Sequence, residues 1–296
     1  MQQRKWLRER LAAGRTVWGA GCYDALSAKL IEAAGFEAVL TSGFGVSASF
    51  LGKPDVELYT MTENLAVVRQ VVNTVEIPVV ADCDTGYGNA VNVMRTVREF
   101  EQAGVAAVIL EDQVVPKRCP AVANRIEVIP IGEGVAKIRA AVEARRDPEL
   151  VIIARTDAGS EEEAVARAQA YAAAGADMVQ PISKTMKDAD MLRRFGKAAG
   201  RPVSLQVLGW LEKALSPADL EEIAGIAFFP LVALMTAANA IETNLKALRA
   251  ARSTAALPLA CMDHKAFAER LDFSKIEDIQ MRLLPEAPVF AHQAAD

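Results

Sequence analysis

Two carboxylates stand two residues apart in the stretch from Val79 to Asn89, V-V-A-D-C-D-T-G-Y-G-N, where an apolar run meets a glycine-rich turn. The run reads as a buried strand, and residues two apart on a strand share a face. Asp82 and Asp84 are therefore expected to converge just past the strand's C-terminal end. Two facing carboxylates with no cation between them repel, and one is forced toward its protonated form. A shared hard cation with oxygen ligands removes the repulsion, most simply Mg²⁺ holding some of its water, with Mn²⁺ as the substitute. The competing reading is an Asp-rich turn in which Asp84 caps the next helix. A second acidic strand end, Glu111-Asp112, lies one strand–helix unit later and favours the cation.

Carboxylates at strand ends need strands to hold them, and apolar runs recur through the chain. Val17–Gly21, Ala38–Thr41, Pro78–Asp82, Ala107–Glu111, Leu150–Arg155, Met178–Pro181, Val203–Gln206 and Ile226–Pro230 read as strands. Helical patterns alternate with them. Asp24 is placed to cap the second helix, Ser160 with Glu163 to form a capping box, and Ser216-Pro217 to open a later helix. Three helix exits share one form, A-A-G-F-E-A-V, Q-A-G-V-A-A-V and A-A-G-A-D-M-V, with glycine where a left-handed residue ends a helix. This alternation predicts an α/β fold, a (β/α)8 TIM-like barrel over residues 1–252, followed by a C-terminal helical arm over 253–296. A doubly wound sheet is the alternative, but no G-x-G-x-x-G follows the first strand. Barrel active sites lie at the C-terminal ends of strands. That rule selects Tyr23-Asp24, Ser42-Gly43, Asp82/Asp84, Glu111-Asp112, Arg155/Asp157, Ser183-Lys184 and Gln206 as site candidates.

Composition narrows the function classes. Just over half of the 296 residues are apolar, at 52%, so a large core is available, and the net charge of −5 with scattered basic residues argues against nucleic acid or an anionic membrane. No apolar run approaches the ~20 residues that span a bilayer. Cys22, Cys83, Cys119 and Cys261 show no C-x-x-C spacing and read as reduced thiols of a cytoplasmic protein. The two histidines, His264 and His292, lie near the C-terminus, which argues against a histidine-based zinc site or a Ser-His-Asp triad in the main body.

Six motifs occur in order: Y-D-A-L-S-A-K, S-G-F-G-V-S-A-S, G-K-P-D, D-C-D-T-G-Y-G-N, E-D-Q-V-V-P-K-R-C and I-I-A-R-T-D-A. Together they resemble the isocitrate lyase / phosphoenolpyruvate mutase superfamily, and most of all its short members of the 2-methylisocitrate lyase, 2,3-dimethylmalate lyase and carboxyphosphonoenolpyruvate mutase type. The resemblance implies Mg²⁺ at the barrel mouth, with Asp84 as direct ligand and Asp82, Asp55 and Glu111 holding its waters. It implies a 2-oxo or 2-hydroxy carboxylate gripped by Tyr23, Ser42, Gly43 and Arg155, in a pocket that also takes in Phe44, Asp82, Gly86, Tyr87 and Gln206. Lys117 and Cys119 would belong to a catalytic loop, with Cys119 protonating the departing enolate. A thiol beside Lys117 and Arg118 is expected to ionise readily. Arg155 offers a planar fork to a carboxylate, and the less favoured reading is a structural ion pair with Asp157 at the strand end. The resemblance also implies a homodimer or homotetramer that exchanges its C-terminal helix.

The chain departs from the lyase pattern in several places, among them the run V-A-N-R-I-E-V and a glutamate missing from V-L-G-W. Pro120-Ala121 stands where Gly-His is usual, Ile182 where a glutamate is expected, and Gln206 where an asparagine is expected. Ile182, Leu208 and Trp210 would make the far side of the pocket apolar, while Lys184 adds a cation there. The leading expectation is an Mg²⁺-dependent lyase that cleaves a carbon–carbon bond of a 2-hydroxy di- or tricarboxylate. The alternatives are phosphonomutase, phosphonopyruvate hydrolase or oxaloacetate decarboxylase chemistry on the same platform, and then a barrel that binds without turnover.

Overall fold

Apolar runs of four to six residues become eight parallel strands that close on themselves in chain order. They are β1 (Val17–Cys22), β2 (Ala38–Thr41), β3 (Val79–Asp82), β4 (Ala107–Glu111), β5 (Val151–Thr156), β6 (Met178–Pro181), β7 (Val203–Gln206) and β8 (Ala224–Phe229). β1 closes the barrel against β8, with Val17 opposite Ile226. The computed structural model describes residues 2–117 and 126–284.

Strand parity sorts the core. Leu40, Val80, Ile109, Ile153, Met178 and Phe228 form the filling of the barrel, and Leu7 of the first helix, Gln2–Ala12, joins that layer. The alternate residues, such as Val39, Val79, Val108 and Ile152, pack outward against the helices. Burial on both faces is why these strands read as continuous apolar runs without polar alternation.

The helices start where capping chemistry places them. Asp24, Asn89 and Asp188 each accept from backbone N–H groups of the helix they precede. Asn89, and not Asp84, therefore caps the helix Ala90–Ala103. Ser160 accepts from the Glu163 N–H, but the reciprocal half of the expected capping box does not form. The Glu163 carboxylate instead accepts from Arg167, at 2.8 and 2.9 Å, because the charge-assisted pair outcompetes a bond to one N–H. The three glycine exits, Gly35, Gly104 and Gly175, all take positive φ, as anticipated.

The chain divides into two compact units between Ala237 and Ala238, inside the helix Val232–Ala251. The second unit continues through a short turn, Thr254–Ala256, to the helices His264–Arg270 and Phe273–Leu283, neither of which has a buried residue. Asn244 fixes that turn's exit by exchanging two hydrogen bonds with the Leu259 backbone, at 2.9 and 3.1 Å. Among the described residues, no helix is long and apolar enough to cross a membrane.

Candidate active site

The residues that follow β2, β3, β4 and β5 meet at the C-terminal mouth of the barrel. Lys117 Nζ is the centre of the arrangement. It lies 2.5 Å from Asp84 Oδ1, 3.1 Å from Glu111 Oε1 and 3.3 Å from Asp55 Oδ1. Three of the four carboxylates expected around a cation thus converge on one ammonium nitrogen. Burial works against the charge on Lys117, but Glu111, Asp84, Asp55 and Asp82 together outweigh it and hold its pKa well above the usual lysine value.

Asp82 and Asp84 come together differently from the strand rule. β3 ends at Asp82, and Asp84 sits in the turn with φ 48°, so alternation along a strand does not apply to it. The turn brings the Asp84 N–H to Asp82 Oδ1 at 3.2 Å, and Asp82 Oδ2 accepts from the Gly43 N–H, also at 3.2 Å. The Gly43 amide is therefore engaged with Asp82, while Ser42 Oγ accepts from the Gly45 N–H. Burial, and then the charge of Asp84, push the Asp82 carboxyl up to about 7.

Glu111 and Asp112 diverge. Glu111 faces the mouth, where Arg155 Nη1 lies 2.9 Å from its Oε2. Asp112 points outward and accepts from Tyr171 Oη at 2.8 Å and Arg167 Nη1 at 3.1 Å, which makes it a buried structural acid. Arg155 also donates through Nε to Asp157 Oδ1 at 3.0 Å, so the ion pair with Asp157 does form, alongside the contact with Glu111. Gln113 Nε2 secures the other oxygen of Asp157 at 2.6 Å.

Two participants escaped the sequence reading. Tyr59 Oη donates to Asp84 Oδ2 at 2.6 Å. Glu57 holds a left-handed backbone, φ 57°, uncommon outside glycine, and accepts from Thr85 Oγ1 at 3.3 Å. Its carboxyl is pushed up to about 7 by burial and then by Asp84. The signal for Tyr59 was available: a tyrosine between the G-K-P-D loop and the helix cap at Thr60 needs a partner for its hydroxyl once buried.

The other candidates are placed as follows. Tyr87 Oη donates to Asp84 Oδ2 at 3.1 Å and so joins the acidic cluster. Gly86 serves the turn: its carbonyl accepts from Thr96, and a Cβ there would come within 2.4 Å of Val93. Tyr23 is half-buried next to Asp24, and burial and that charge raise its phenol, which suits hydrogen-bond donation better than proton abstraction. Phe44 is largely exposed, and Gln206 ends β7. Trp210 Nε1 donates to the Ser183 carbonyl at 2.8 Å and ties the segments after β6 and β7 together. Cys119 lies outside the described residues, as do Arg118, Pro120, Asn124 and Arg125.

These residues suit a hydrated divalent ion. Both carboxylate oxygens of Glu111 are buried without a hydrogen-bond partner, held only by charge, which leaves them free to accept from metal-bound water. Among the described residues no three acidic, histidine or cysteine side chains stand close enough together to hold a bare metal ion directly. One direct ligand with water-mediated neighbours is what Mg²⁺, which keeps several waters, requires. A groove of about 600 Å³ beside Arg10, Trp18 and Glu37 opens at the opposite end of the barrel.

Comparison with known proteins establishes the family. The phosphoenolpyruvate phosphomutase family matches residues 7–253, and the chain belongs to that family. It is an enzyme of the phosphoenolpyruvate mutase / isocitrate lyase superfamily. It is 40% identical to 2,3-dimethylmalate lyase of Eubacterium barkeri over 93% of this chain and 96% of that one. It is 41% identical to oxaloacetate decarboxylase of Pseudomonas putida strain GB-1 over 68% of this chain and 69% of that one. Among solved structures, phosphonopyruvate hydrolase in complex with oxalate and Mg²⁺ superposes with a TM-score of 0.87 at 33% identity, covering 96% of this chain and 100% of that one.

Proposed function

We propose that the protein is a magnesium-dependent lyase that cleaves the C2–C3 bond of a substituted malate or related 2-hydroxy di- or tricarboxylate. The supporting observation is the convergence of Asp55, Asp84 and Glu111 on one cation position beside Arg155. The likeness to a dimethylmalate lyase along almost the whole chain supports it further. Asp84 would hold the ion directly, and Asp55, Asp82 and Glu111 would hold its waters. The chemistry a divalent ion supplies there is Lewis acidity toward the oxygens of a 2-oxo acid and stabilisation of enolate charge. Arg155 aligns a substrate carboxylate, and Tyr23 donates to its oxygen. The 2-hydroxyl gives its proton to a carboxylate of the acidic cluster as the C2–C3 bond breaks, and that proton later returns to the Cys119 thiolate. The bonding pair passes to C3, and Cys119 protonates C3. A 2-oxo acid and a carboxylic acid leave. Assembly belongs to the same proposal: a homodimer or homotetramer of a cytoplasmic enzyme, in which the arm over 253–296 packs on or is exchanged with another copy. Leu259, Met262, Phe267, Leu271 and Phe273 support it, each at least a third exposed.

A second reading has its own support: the fold likeness to phosphonopyruvate hydrolase and the match to oxaloacetate decarboxylase favour hydrolysis or decarboxylation on the same acidic platform. Purified protein with Mg²⁺, or with chelator, is offered alkylmalates, alkylcitrates, oxaloacetate and phosphonopyruvate. Magnesium-dependent release of a 2-oxo acid from a hydroxy acid is expected. Phosphate from phosphonopyruvate alone, or CO₂ from oxaloacetate alone, would replace the first reading with the second.

A further inference from the structure

We infer that Tyr59 is a positioning residue whose hydroxyl holds the Asp84 carboxylate in the orientation that turns one oxygen toward the cation. The inference rests on the divalent-ion reading of this site. Asp84 has no solvent exposure, and its two oxygens are divided between different neighbours. Oδ2 accepts from Tyr59 Oη at 2.6 Å and from Tyr87 Oη at 3.1 Å, while Oδ1 lies 2.5 Å from Lys117 Nζ. Two phenols thus occupy one side of the carboxylate, and the other side is the one turned toward positive charge.

The direction of both phenolic bonds is fixed. Asn64 Nδ2 donates to Tyr87 Oη at 2.7 Å, so the Tyr87 proton goes to Asp84. Tyr59 is 2% exposed, and with its oxygen 2.6 Å from a carboxylate oxygen its hydroxyl is the donor. Glycine at position 43 makes the space for it. A Cβ on Gly43 would come within 2.7 Å of Tyr59 Oη and 3.1 Å of Asp82 Oδ2. The S-G-F-G segment after β2 and the tyrosine before the helix Met61–Val72 are in this way parts of one device that holds two carboxylates in place. Groups that orient a metal ligand from behind contribute 10–100-fold to metal affinity.

The test is Mn²⁺ titration followed by electron paramagnetic resonance of the free ion, on wild type, Tyr59→Phe, Tyr59→Leu and Gly43→Ala, beside melting of each protein in chelator. Tyr59→Phe keeps the ring, so its metal-free melting should stay near that of wild type while Mn²⁺ affinity falls at least about tenfold. Tyr59→Leu should lose both affinity and stability. Gly43→Ala should weaken Mn²⁺ binding in wild type but much less in the Tyr59→Phe background, where the displaced hydroxyl is already gone. Wild-type uptake matched within about twofold by Tyr59→Phe overturns the inference alone. No uptake by wild type overturns the divalent-ion reading together with it.

Discussion

Replacing Lys117 with methionine removes the ammonium that three carboxylates now share, and it does so in a nearly dry place. The side chains of Lys117, Asp84 and Glu111 are 6%, 0% and 1% exposed, and that of Asp55 is 23% exposed. At an effective dielectric of ~20, unit charges ~3 Å apart attract by about 5 kcal/mol before desolvation is counted. Removing one partner of a buried pair typically costs about 3–5 kcal/mol net, because the remaining charge is left uncompensated. For a chain of this size that corresponds to a fall in melting temperature on the order of 10 °C in chelator. Mg²⁺ should reverse the fall. In wild type the ion must displace an ammonium from Asp84, whereas in Lys117→Met it meets bare carboxylates. Ligand binding at 100 times Kd adds about 2.7 kcal/mol of stability, so the magnesium-induced rise in melting temperature should be several degrees larger in the variant. The assay is thermal unfolding of both proteins by circular dichroism, in chelator and across a magnesium titration. A variant as stable as wild type in chelator, or one that gains no more from Mg²⁺, would refute the reasoning.

Asp84→Ala should abolish magnesium-dependent turnover with the circular dichroism spectrum intact; near-normal turnover would move the direct metal ligand elsewhere. Cys119→Ser should slow carbon–carbon cleavage by at least about tenfold, because a hydroxyl is a far weaker acid than a thiol; single-turnover product release at matched substrate saturation measures it. The metal-free protein should lose stability as pH rises from about 4 to about 7. Burial raises Asp82 and Glu57 to about 7 and raises Asp55 and Glu111 as well. In that window the folded state holds more protons than the unfolded one, which makes the slope negative, and Lys117 stays charged throughout. Melting curves at pH 5 and pH 8 in chelator test the sign, and saturating Mg²⁺ should flatten the difference.

Much of the barrel was legible because a parallel sheet buried on both faces leaves unbroken apolar runs. The glycine exits supplied the punctuation between them. The eighth strand shows the limit. It begins at Ala224 and not at Ile226, because the helix Pro217–Ile223 passes into it without a loop, and Ala224-Gly225 carries no turn signal. The site was legible wherever a residue sits at a strand end, as Asp82, Glu111 and Arg155 do. It was not legible where a loop folds back across the mouth. Tyr59 and Glu57 lie in a segment with no periodicity, whereas Asp55 and Lys117, 62 residues apart, were selected only by the motif resemblance. Asp112 misled for the opposite reason. It adjoins Glu111, but neighbouring strand residues face opposite sides, and its partners Arg167 and Tyr171 come from the helix Glu161–Ala173.

The distribution of charge in this cluster bears on the order in which ligands enter. Among the described residues, Asp55, Glu57, Asp82, Asp84, Glu111 and Asp157 lie around the cations Lys117 and Arg155, with Lys137 nearby at the Thr85 carbonyl. Burial first, and the neighbouring carboxylates after it, raise the carboxyls of Asp55, Glu57, Asp82 and Glu111. A substrate carrying two carboxylates would deepen the deficit if it entered alone, in a place where solvent screens little. An ion with two positive charges reduces the deficit first and also frees Lys117 from Asp84. On the proposed function, metal before substrate would be the order that the electrostatics favour, with Arg155 left as the group that separates an anionic substrate from the surrounding acids.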